Sequence, residues 1–342
     1  MKLSTSLSYA GDPRQAADDV VALERAGLDT VWVAEAYGFD SPTLMGYLAA
    51  VTERVEIGSA IVNVFSRTPA LLAQTAAGLD NVSGGRAILG IGASGPQVVE
   101  GWHGMPYTRP LTRTTEVIDV VRAGLRRERL EYAGRTITLP LPPDQGTGLG
   151  KPLKLLTHPQ RSSVPIYVAS LGARSVEATA RLAEGWLPFL FSPEGSDAVW
   201  GDALRAGLAE RDASLPPLEV VAGGMVAVGD DVKDQLDLAR PTAALYIGGM
   251  GARGKNFYND LACAYGFEAE ARQIQDLYLD GKKQEAEAAV PLALLEQTNL
   301  VGPESYVRER IAAYAEAGVT NLQVLPLDPD PASLVSRLRD WV

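Results

Sequence analysis

Cysteine and histidine are almost absent from this chain of 342 residues, which contains one cysteine, Cys263, and two histidines, His103 and His158. A single cysteine cannot form an intrachain disulfide, and this fits a reducing compartment such as the cytoplasm. So few nitrogen and sulfur ligands also argue against a zinc-type metal site. We therefore expect no resident metal ion.

Positive charge and long apolar runs are also scarce. The chain has 31 Lys and Arg against 42 Asp and Glu, a net charge of -11, which argues against a general affinity for nucleic acid or anionic membranes. No apolar run reaches the 18 or so residues of a membrane-spanning helix, and the opening MKLSTSLSYAGDP lacks the apolar core of a signal peptide. We expect a cytoplasmic protein that acts on a small molecule.

Alternating strand and helix patterns make up most of the chain. Apolar and β-branched runs predict eight strands, at residues 3–9, 30–35, 55–63, 86–92, 164–170, 186–191, 218–229 and 319–327. Helical patterns separate most of them, and repeated βα units favour a parallel sheet. Eight units suit a TIM-like (β/α)8 barrel, with a doubly wound sheet as the alternative. We expect one domain over residues 1–342, with insertions near 127–163 and 230–300.

The stretch GIGASG, residues 90–95, has the G-x-G-x-x-G spacing of a dinucleotide-binding turn. A Rossmann turn should open a helix directly and be followed about twenty residues later by an acid at the end of a strand. Here the glycines precede a stretch broken by further Gly and Pro, and Glu116 and Asp119 belong to a helical pattern. The alternatives are a purely structural turn and a loop at a barrel mouth that lets a flat ring or a phosphate approach the backbone.

A second candidate loop is VASLGARSVEATA, residues 168–180. It places Ser170, Gly172 and Ala173 at a predicted helix N-terminus, with Arg174 in the first turn. Backbone N–H groups and the helix dipole there favour a phosphate, although ordinary helix capping explains the same residues.

Taken together, several stretches resemble the bacterial luciferase-like superfamily, in the actinobacterial branch of oxidoreductases that use the deazaflavin coenzyme F-420. They include AGLDTVWVAEAYGFDSPTLMGYLAA, IGSAIVNVFSRTPALLAQTAAGLDNVSGGRAILGIGASGPQVVEGWHG and PIYVASLGARSVEATARLAEGWLP. MGARGKNFYNDLACAYG and AEAGVTNLQVLPL also fit, so the resemblance covers most of the chain.

This resemblance implies a TIM-like barrel, usually a homodimer, with the deazaflavin at the C-terminal mouth. It implies a non-prolyl cis peptide at Ala60–Ile61, in a bulge that backs the ring, and an Asn63 side chain that reaches towards the ring. The other implied cofactor-binding residues are Gly92, Ala93, Ser94 and Gly95 under the ring or ribityl chain, and Ser170, Leu171, Gly172, Ala173 and Arg174 at the phosphate.

The implied chemistry is hydride transfer between F-420 and an unknown small organic substrate. A hydride acceptor usually gains a proton as well, so an acid is expected nearby. Glu35, at the end of the second strand, and His103, in the glycine loop, are the catalytic candidates, and Tyr9 is a possible hydrogen-bond donor. For Glu35 and His103, a solvated or structural role is the alternative.

The chain departs from the superfamily's alcohol and sugar-phosphate dehydrogenases, which carry an Asp-His pair where this chain has Glu35-Ala36. They also carry a glutamate near the end of the first strand, where this chain reads Ser8-Tyr9-Ala10. Alcohol oxidation is therefore disfavoured. An FMN-dependent monooxygenase and a non-catalytic flavin- or deazaflavin-binding protein remain alternatives.

The anionic tail of F-420 needs local positive charge in an acidic protein. Lys151, Lys154, Arg161 and Arg174 are the candidates for such a basic strip, and Lys255 is a candidate from the second insertion. Solvated surface charge is the alternative.

Overall fold

The computed structural model describes residues 1–7 and 11–342, and eight parallel strands close into a barrel. The strands are β1 Lys2–Ser6, β2 Thr30–Val33, β3 Glu56–Ser59, β4 Ala87–Gly92, β5 Ile166–Ala169, β6 Gly185–Trp186, β7 Glu219–Val228 and β8 Asn321–Pro326. Each strand pairs with the next, and β8 pairs with β1. The barrel prediction is confirmed, and the doubly wound alternative is wrong because such a sheet keeps two open edges.

Eight helices in the described part of the chain surround the barrel: α1 Pro13–Arg25, α2 Ser41–Val51, α3 Pro69–Val82, α4 Pro110–Leu125, α5 Ala173–Leu182, α6 Asp202–Ala209, α7 Glu304–Glu316 and α8 Pro331–Arg339. Four of them start on a strong local signal, a capping Asp or Thr whose side chain accepts a first-turn N–H, with proline in the first turn. The caps are Asp12, Asp40, Thr68 and Asp330.

Three strands differ from the predicted ones by more than small shifts at their ends. A bulge breaks the predicted strand 55–63 into β3 and a two-residue strand, Val62–Asn63. The predicted strand 186–191 is reduced to β6, because Pro188 has no N–H and Leu190 has a left-handed backbone, with φ of 53°. The predicted strand 3–9 is observed as Lys2–Ser6, and residues 8 and 9 of the prediction lie outside the described residues.

The segment between α4 and β5 lies at the N-terminal end of the barrel. It forms a hairpin of Tyr132–Ala133 and Thr138–Leu139, whose turn is held on the Glu116 carboxylate by the N–H groups of residues 135–137. A long loop follows, and its Leu153 carbonyl accepts the N–H of Leu130, just beyond the C-terminus of α4.

The segment between β7 and α7 lies at the other end of the barrel. The strand Leu300–Gly302 pairs with the last residues of β7, which extends past its pairing with β8. The other elements of this segment are a 3-10 helix Lys233–Ala239, a π-helical turn Leu245–Gly249 and the helices Arg240–Ala244, Phe257–Ala264, Glu268–Leu279, Lys283–Ala288 and Leu292–Thr298. We call residues 229–303 the mouth insertion.

The N-terminal end of the barrel interior is filled by a polar network. Lys2 Nζ lies 2.8 Å from Glu56 Oε2 and 3.0 Å from Glu219 Oε2. Burial alone would lower the pKa of Lys2, but the two carboxylates more than offset it and raise that pKa. Asn321 donates to Glu219 at 2.9 Å.

Above this network the interior is filled by large side chains. The rings of Trp32 and Tyr167 lie 5.4 Å apart, and Ile88 and Val221 complete the cluster. A Cβ on Gly58 would lie 2.2 Å from the Trp32 ring, so glycine is required for this close approach. The filled interior leaves the C-terminal mouth as the place for a ligand.

Across the described ranges, no helix is long and apolar enough to cross a membrane. In the same part of the chain, no group of three or more His, Cys, Asp or Glu side chains is placed to hold a metal ion.

Candidate active site at the barrel mouth

The bulge after β3 and the glycine loop after β4 form the floor of the mouth. The peptide bond between Ala60 and Ile61 is cis, as the resemblance implies. Ala60 donates its N–H to the Val33 carbonyl at 2.8 Å, which ties the bulge to β2. A Cβ on Gly92 would lie 3.1 Å from the Ile61 side chain. The bulge and the glycine loop are therefore in direct contact.

Asn63 carries an unsatisfied hydrogen-bond donor at this floor. Its side chain is buried, and its Oδ1 accepts the N–H of Phe65 at 2.7 Å. Its Nδ2 is buried and has no partner among the described residues. A buried polar group left in this state costs about 1–3 kcal/mol, so a ligand carbonyl that accepted from it would be favoured.

Tyr107 holds the glycine loop in place, and sequence reasoning missed it. Its hydroxyl donates to the carbonyl of Ser94 at 3.0 Å, and Ser94 has a left-handed backbone with φ of 57°. The Tyr107 ring packs 5.3 Å from that of Phe65, in the loop after the bulge. Burial raises the pKa of Tyr107, so the hydroxyl stays a donor. The only signal in the sequence is an aromatic residue in a polar loop rich in Gly and Pro.

The Glu35 carboxylate is occupied by partners on both oxygens. Arg67 donates to Oε1 at 2.5 Å and to Oε2 at 2.8 Å, and the N–H of Ser41 donates to Oε2 at 2.9 Å. The Glu35 side chain is only 10% exposed and the Arg67 side chain only 14%. The Glu35 hydrogen bond also raises the pKa of Arg67. A carboxylate bound in this way joins the end of β2 to the starts of α2 and α3.

His103 lies half-buried in the loop after β4, beyond a short helix, Pro96–Gly101. The neighbouring Trp102 is 64% exposed, and its ring centroid lies 6.5 Å from that of Tyr37 in the loop after β2. The two loops therefore meet at the rim of the mouth. Tyr9 lies outside the described residues.

The loop after β5 presents a helix N-terminus. Gly172 is the N-cap residue of α5, and no side chain in the described part of the chain caps this helix. The Ser170 hydroxyl is instead 2.9 Å from that of Thr179, and the Leu171 carbonyl accepts from Trp200 Nε1 at 2.7 Å. Ser170 and Leu171 therefore position the loop, while Ala173 and Arg174 are exposed beside Gly172.

The mouth insertion forms the wall next to this helix start. Phe257 lies 3.9 Å from the position of a Cβ on Gly172. Tyr246 and Tyr258 pack around Phe189 from the loop after β6, with centroid distances of 4.2 and 5.8 Å. Lys255, which is exposed, lies two residues before Phe257.

The predicted basic strip is wrong in three of its four members. Arg161 binds the buried Asp80 carboxylate and the Ala87 carbonyl, at the start of β4. Lys151 and Lys154 flank Leu153, at the same N-terminal end of the barrel. The long loop that carries all three residues follows the hairpin on α4, away from the mouth, and this tertiary placement leaves no local trace in the sequence.

Comparisons with known proteins agree with this geometry. A family model for luciferase-like monooxygenases matches residues 1–321. A Mycobacterium tuberculosis protein whose assigned name is coenzyme F-420-dependent oxidoreductase is 39% identical over 329 residues, covering 95% of this chain and 94% of its own. The 5,10-methylenetetrahydromethanopterin reductase of Archaeoglobus fulgidus is 26% identical, covering 90% of this chain and 88% of its own. The structure of the coenzyme F-420-dependent tetrahydromethanopterin reductase of Methanopyrus kandleri superimposes with a TM-score of 0.82 at 21% identity, covering 100% of this chain and 98% of its own.

Proposed function

The chain belongs to the luciferase-like monooxygenase family, and from that premise we propose that it is a coenzyme F-420-dependent oxidoreductase acting on a small organic substrate. The observation that carries this proposal is the floor of the mouth, where the bulge at residues 60–61, the glycine loop and the unsatisfied Asn63 donor converge.

The residues at the mouth fit a deazaflavin. A flat ring needs a surface without protruding side chains, and Gly95 provides one in the glycine loop, while Gly92 lets the Ile61 side chain pack against that loop. The carbonyl oxygens of the ring could accept a hydrogen bond from Asn63 Nδ2, which has no acceptor among the described residues. The cofactor's phosphate fits the uncapped start of α5, with Gly172, Ala173 and Arg174.

When bound, F-420 supplies hydride chemistry at its C5 position. The chain's own residues bind and orient it. Tyr107 holds the Ser94 carbonyl, and thereby the backbone of the glycine loop. Phe257 and the aromatic cluster of the mouth insertion form the wall next to the start of α5.

We assign Glu35 a positioning role in place of the acid role that the sequence suggested. Both oxygens of its carboxylate accept hydrogen bonds from Arg67 or Ser41, so the group is held in place as an acceptor. His103, half-buried at the rim, remains the proposed proton donor.

We also propose that the protein forms a homodimer through α2 and α3. Helix α2 contains no charged residue, and the one in α3, Asp80, is buried against Arg161. The outer faces of these helices expose Tyr47, Val51, Leu71 and Val82 by 39–64%. Two copies of charge -11 repel each other least through an uncharged apolar face.

The single cysteine supports a reducing compartment, which we propose is the cytoplasm.

The test is a pair of fluorescence titrations of the purified protein, with F-420 and with FMN. Tight binding of F-420 and weak binding of FMN support the proposal. Tighter FMN binding with oxygen consumption would replace it with an FMN-dependent monooxygenase. Binding without any hydride transfer to chemical acceptors would indicate a non-catalytic carrier.

A further inference from the structure

The two most exposed large apolar side chains in the described part of the chain belong to one loop. Leu156 is 94% exposed, Leu149 is 83% exposed, and Leu153 between them is 65% exposed. All three lie in the loop that follows the hairpin on α4, and we call residues 141–161 the basal loop because it lies at the N-terminal end of the barrel. A group of exposed apolar side chains of this kind indicates an interaction surface.

The basal loop is held in one position, which keeps these leucines on the outside. Its Leu153 carbonyl accepts the N–H of Leu130 at 2.8 Å, and its Leu155 carbonyl accepts from Arg127 Nε at 3.3 Å. The Leu155 side chain packs, partly buried, against the apolar core formed by β4, β5, α3 and α4. The inward position is therefore taken by Leu155, and Leu153 and Leu156 stay exposed until another surface covers them.

The same loop is a basic part of an acidic protein. No Asp or Glu occurs between residues 145 and 176, although the whole chain has a net charge of -11. The only acid in the basal loop, Asp144, precedes the leucines. Lys151 and Lys154 are exposed between the leucines, and neither forms an ion pair with any described residue. A partner with negative charge would therefore be attracted to this surface.

The basal loop ends against α3, one of the two helices of the proposed dimer face. Arg161 binds the Asp80 carboxylate near the C-terminal end of α3, and Gln160 Nε2 lies 3.3 Å from the position of a Cβ on Gly85, just beyond that helix. Val82, at the same end of α3, is 64% exposed and belongs to the proposed face. The exposed leucines therefore continue the α2–α3 face at the N-terminal end of the barrel.

A second copy of this chain is the partner that fits both the area and the charge. A stable protein interface buries about 800 Å² on each partner, over about 20–30 residues. The α2–α3 face exposes only four large apolar side chains, so they supply only part of that area. The basal loop adds three leucines next to this face, and it brings two lysines to a copy whose net charge is -11.

We propose that the basal loop packs its leucines against a second copy of this chain and so extends the α2–α3 dimer interface. The proposal rests on the homodimer proposed above. In the dimer, Leu149, Leu153 and Leu156 are buried, and Lys151 and Lys154 offset part of the repulsion between the two acidic copies. The mouth lies at the opposite end of the barrel and is not changed by this contact.

The first test is the dissociation constant of the dimer, measured by sedimentation of fluorescently labelled protein over a dilution series. Leu149→Ser with Leu156→Ser should raise this constant at least about tenfold, because two buried apolar contacts are lost. Leu208→Ser with Leu238→Ser removes two exposed leucines at other places and is the matched control. If the wild-type dimer does not dissociate on dilution, the rate of subunit exchange between two differently labelled samples is measured, and it should rise by the same factor.

The lysines provide a second matched pair of variants. Lys151→Gln with Lys154→Gln should raise the dissociation constant several-fold, because the loop then attracts the acidic partner less. Lys282→Gln with Lys283→Gln makes the same change in net charge at exposed sites of the mouth insertion, and it should raise the constant less. Equal responses of the two double variants would overturn the proposed contact of the basal loop with an acidic copy.

The possible failures of these proposals give different results. A wild type that sediments as a monomer would contradict the homodimer and the loop contact together. A wild-type dimer whose dissociation constant or exchange rate is unchanged in the leucine variant would contradict the loop contact alone. Binding of the wild type to vesicles of anionic phospholipid, lost in the leucine variant, would assign the loop to a membrane surface and overturn the proposal.

An F-420 titration on the same samples separates the loop from the proposed enzymatic function. We expect the same F-420 affinity in the wild type and in the leucine variant, because the basal loop lies away from the mouth. Weaker F-420 binding in the leucine variant would overturn the placement of the loop in a contact separate from the mouth. Failure of the wild type to bind F-420 would contradict the proposed oxidoreductase function and leave the sedimentation result in force.

Discussion

The pairing of Glu35 with Arg67 makes the sharpest prediction about the mouth. Both side chains are largely buried, and the contact is bidentate. Removing one member of a buried pair costs about 3–5 kcal/mol, because the other charge is left without a partner. We expect a value near the lower end, since each side chain keeps some exposure. Glu35→Gln and Arg67→Gln should each destabilise the protein, and the double variant should lose less than the sum of the two.

The assay is urea unfolding at neutral pH, with F-420 affinity measured on the same samples. A positioning role predicts that Glu35→Gln and Arg67→Gln weaken F-420 binding to a similar degree. Glu53→Gln, at an exposed site, is the matched control. The reasoning is refuted if Glu35→Gln keeps wild-type stability and F-420 affinity but abolishes hydride transfer, which is the behaviour of a proton donor.

Three further predictions follow from single contacts. Tyr107→Phe should cost about 1 kcal/mol of stability, the usual net value of one hydrogen bond. It should also weaken F-420 binding, because the Ser94 carbonyl loses the bond that holds it. Wild-type affinity for F-420 in this variant would show that the hydrogen bond is not needed. Burial alone would raise the pKa of Glu116, but its hydrogen bonds more than offset burial and lower that pKa below 4.5. The contribution of the carboxylate to stability is therefore complete above pH 4.5 and is lost as the pH falls through the lower pKa of the folded state. The urea midpoint of Glu116→Gln should change less between pH 7 and pH 4 than that of the wild type. A double variant, Tyr47→Lys with Val82→Glu, should sediment as a monomer with its F-420 affinity retained, and an unchanged sedimentation coefficient would exclude the α2–α3 face as the dimer interface.

The barrel could be predicted from the sequence because its signals are local. Buried parallel strands read as short apolar runs, and four of the helices start on a capping side chain followed by proline. The closure of the sheet is a tertiary property, but eight βα units leave few alternatives. The sixth strand was overpredicted because apolar content in residues 186–191 concealed the effects of Pro188 and Leu190 on the backbone.

The sequence suggests site residues only where they lie together on one loop, and these assignments stay predictions. The bulge at Ala60–Ile61 came from the resemblance, and its contact with Gly92 follows from the neighbouring strands β3 and β4. The partner of Glu35 could not be predicted, because Arg67 is 32 residues away and nothing local marks the pair. The same holds for Tyr107, whose role depends on the path of the loop after β4.

The placement of the two insertions on the barrel could not be predicted from the sequence either. Their positions in the chain follow from breaks in the strand–helix pattern, but the pattern carries no information on which end of the barrel each one covers. The long loop of the first insertion carries Lys151, Lys154 and Arg161 away from the mouth, while Phe257 of the mouth insertion reaches Gly172.

The most direct measurement is a crystal structure of the protein with F-420 bound. The account predicts the deazaflavin ring against the bulge at residues 60–61 and the glycine loop, with Asn63 Nδ2 within hydrogen-bond distance of a ring acceptor and the phosphate at the start of α5. A ring placed elsewhere at the mouth, or an Asn63 amide still without a partner, would contradict the central claim.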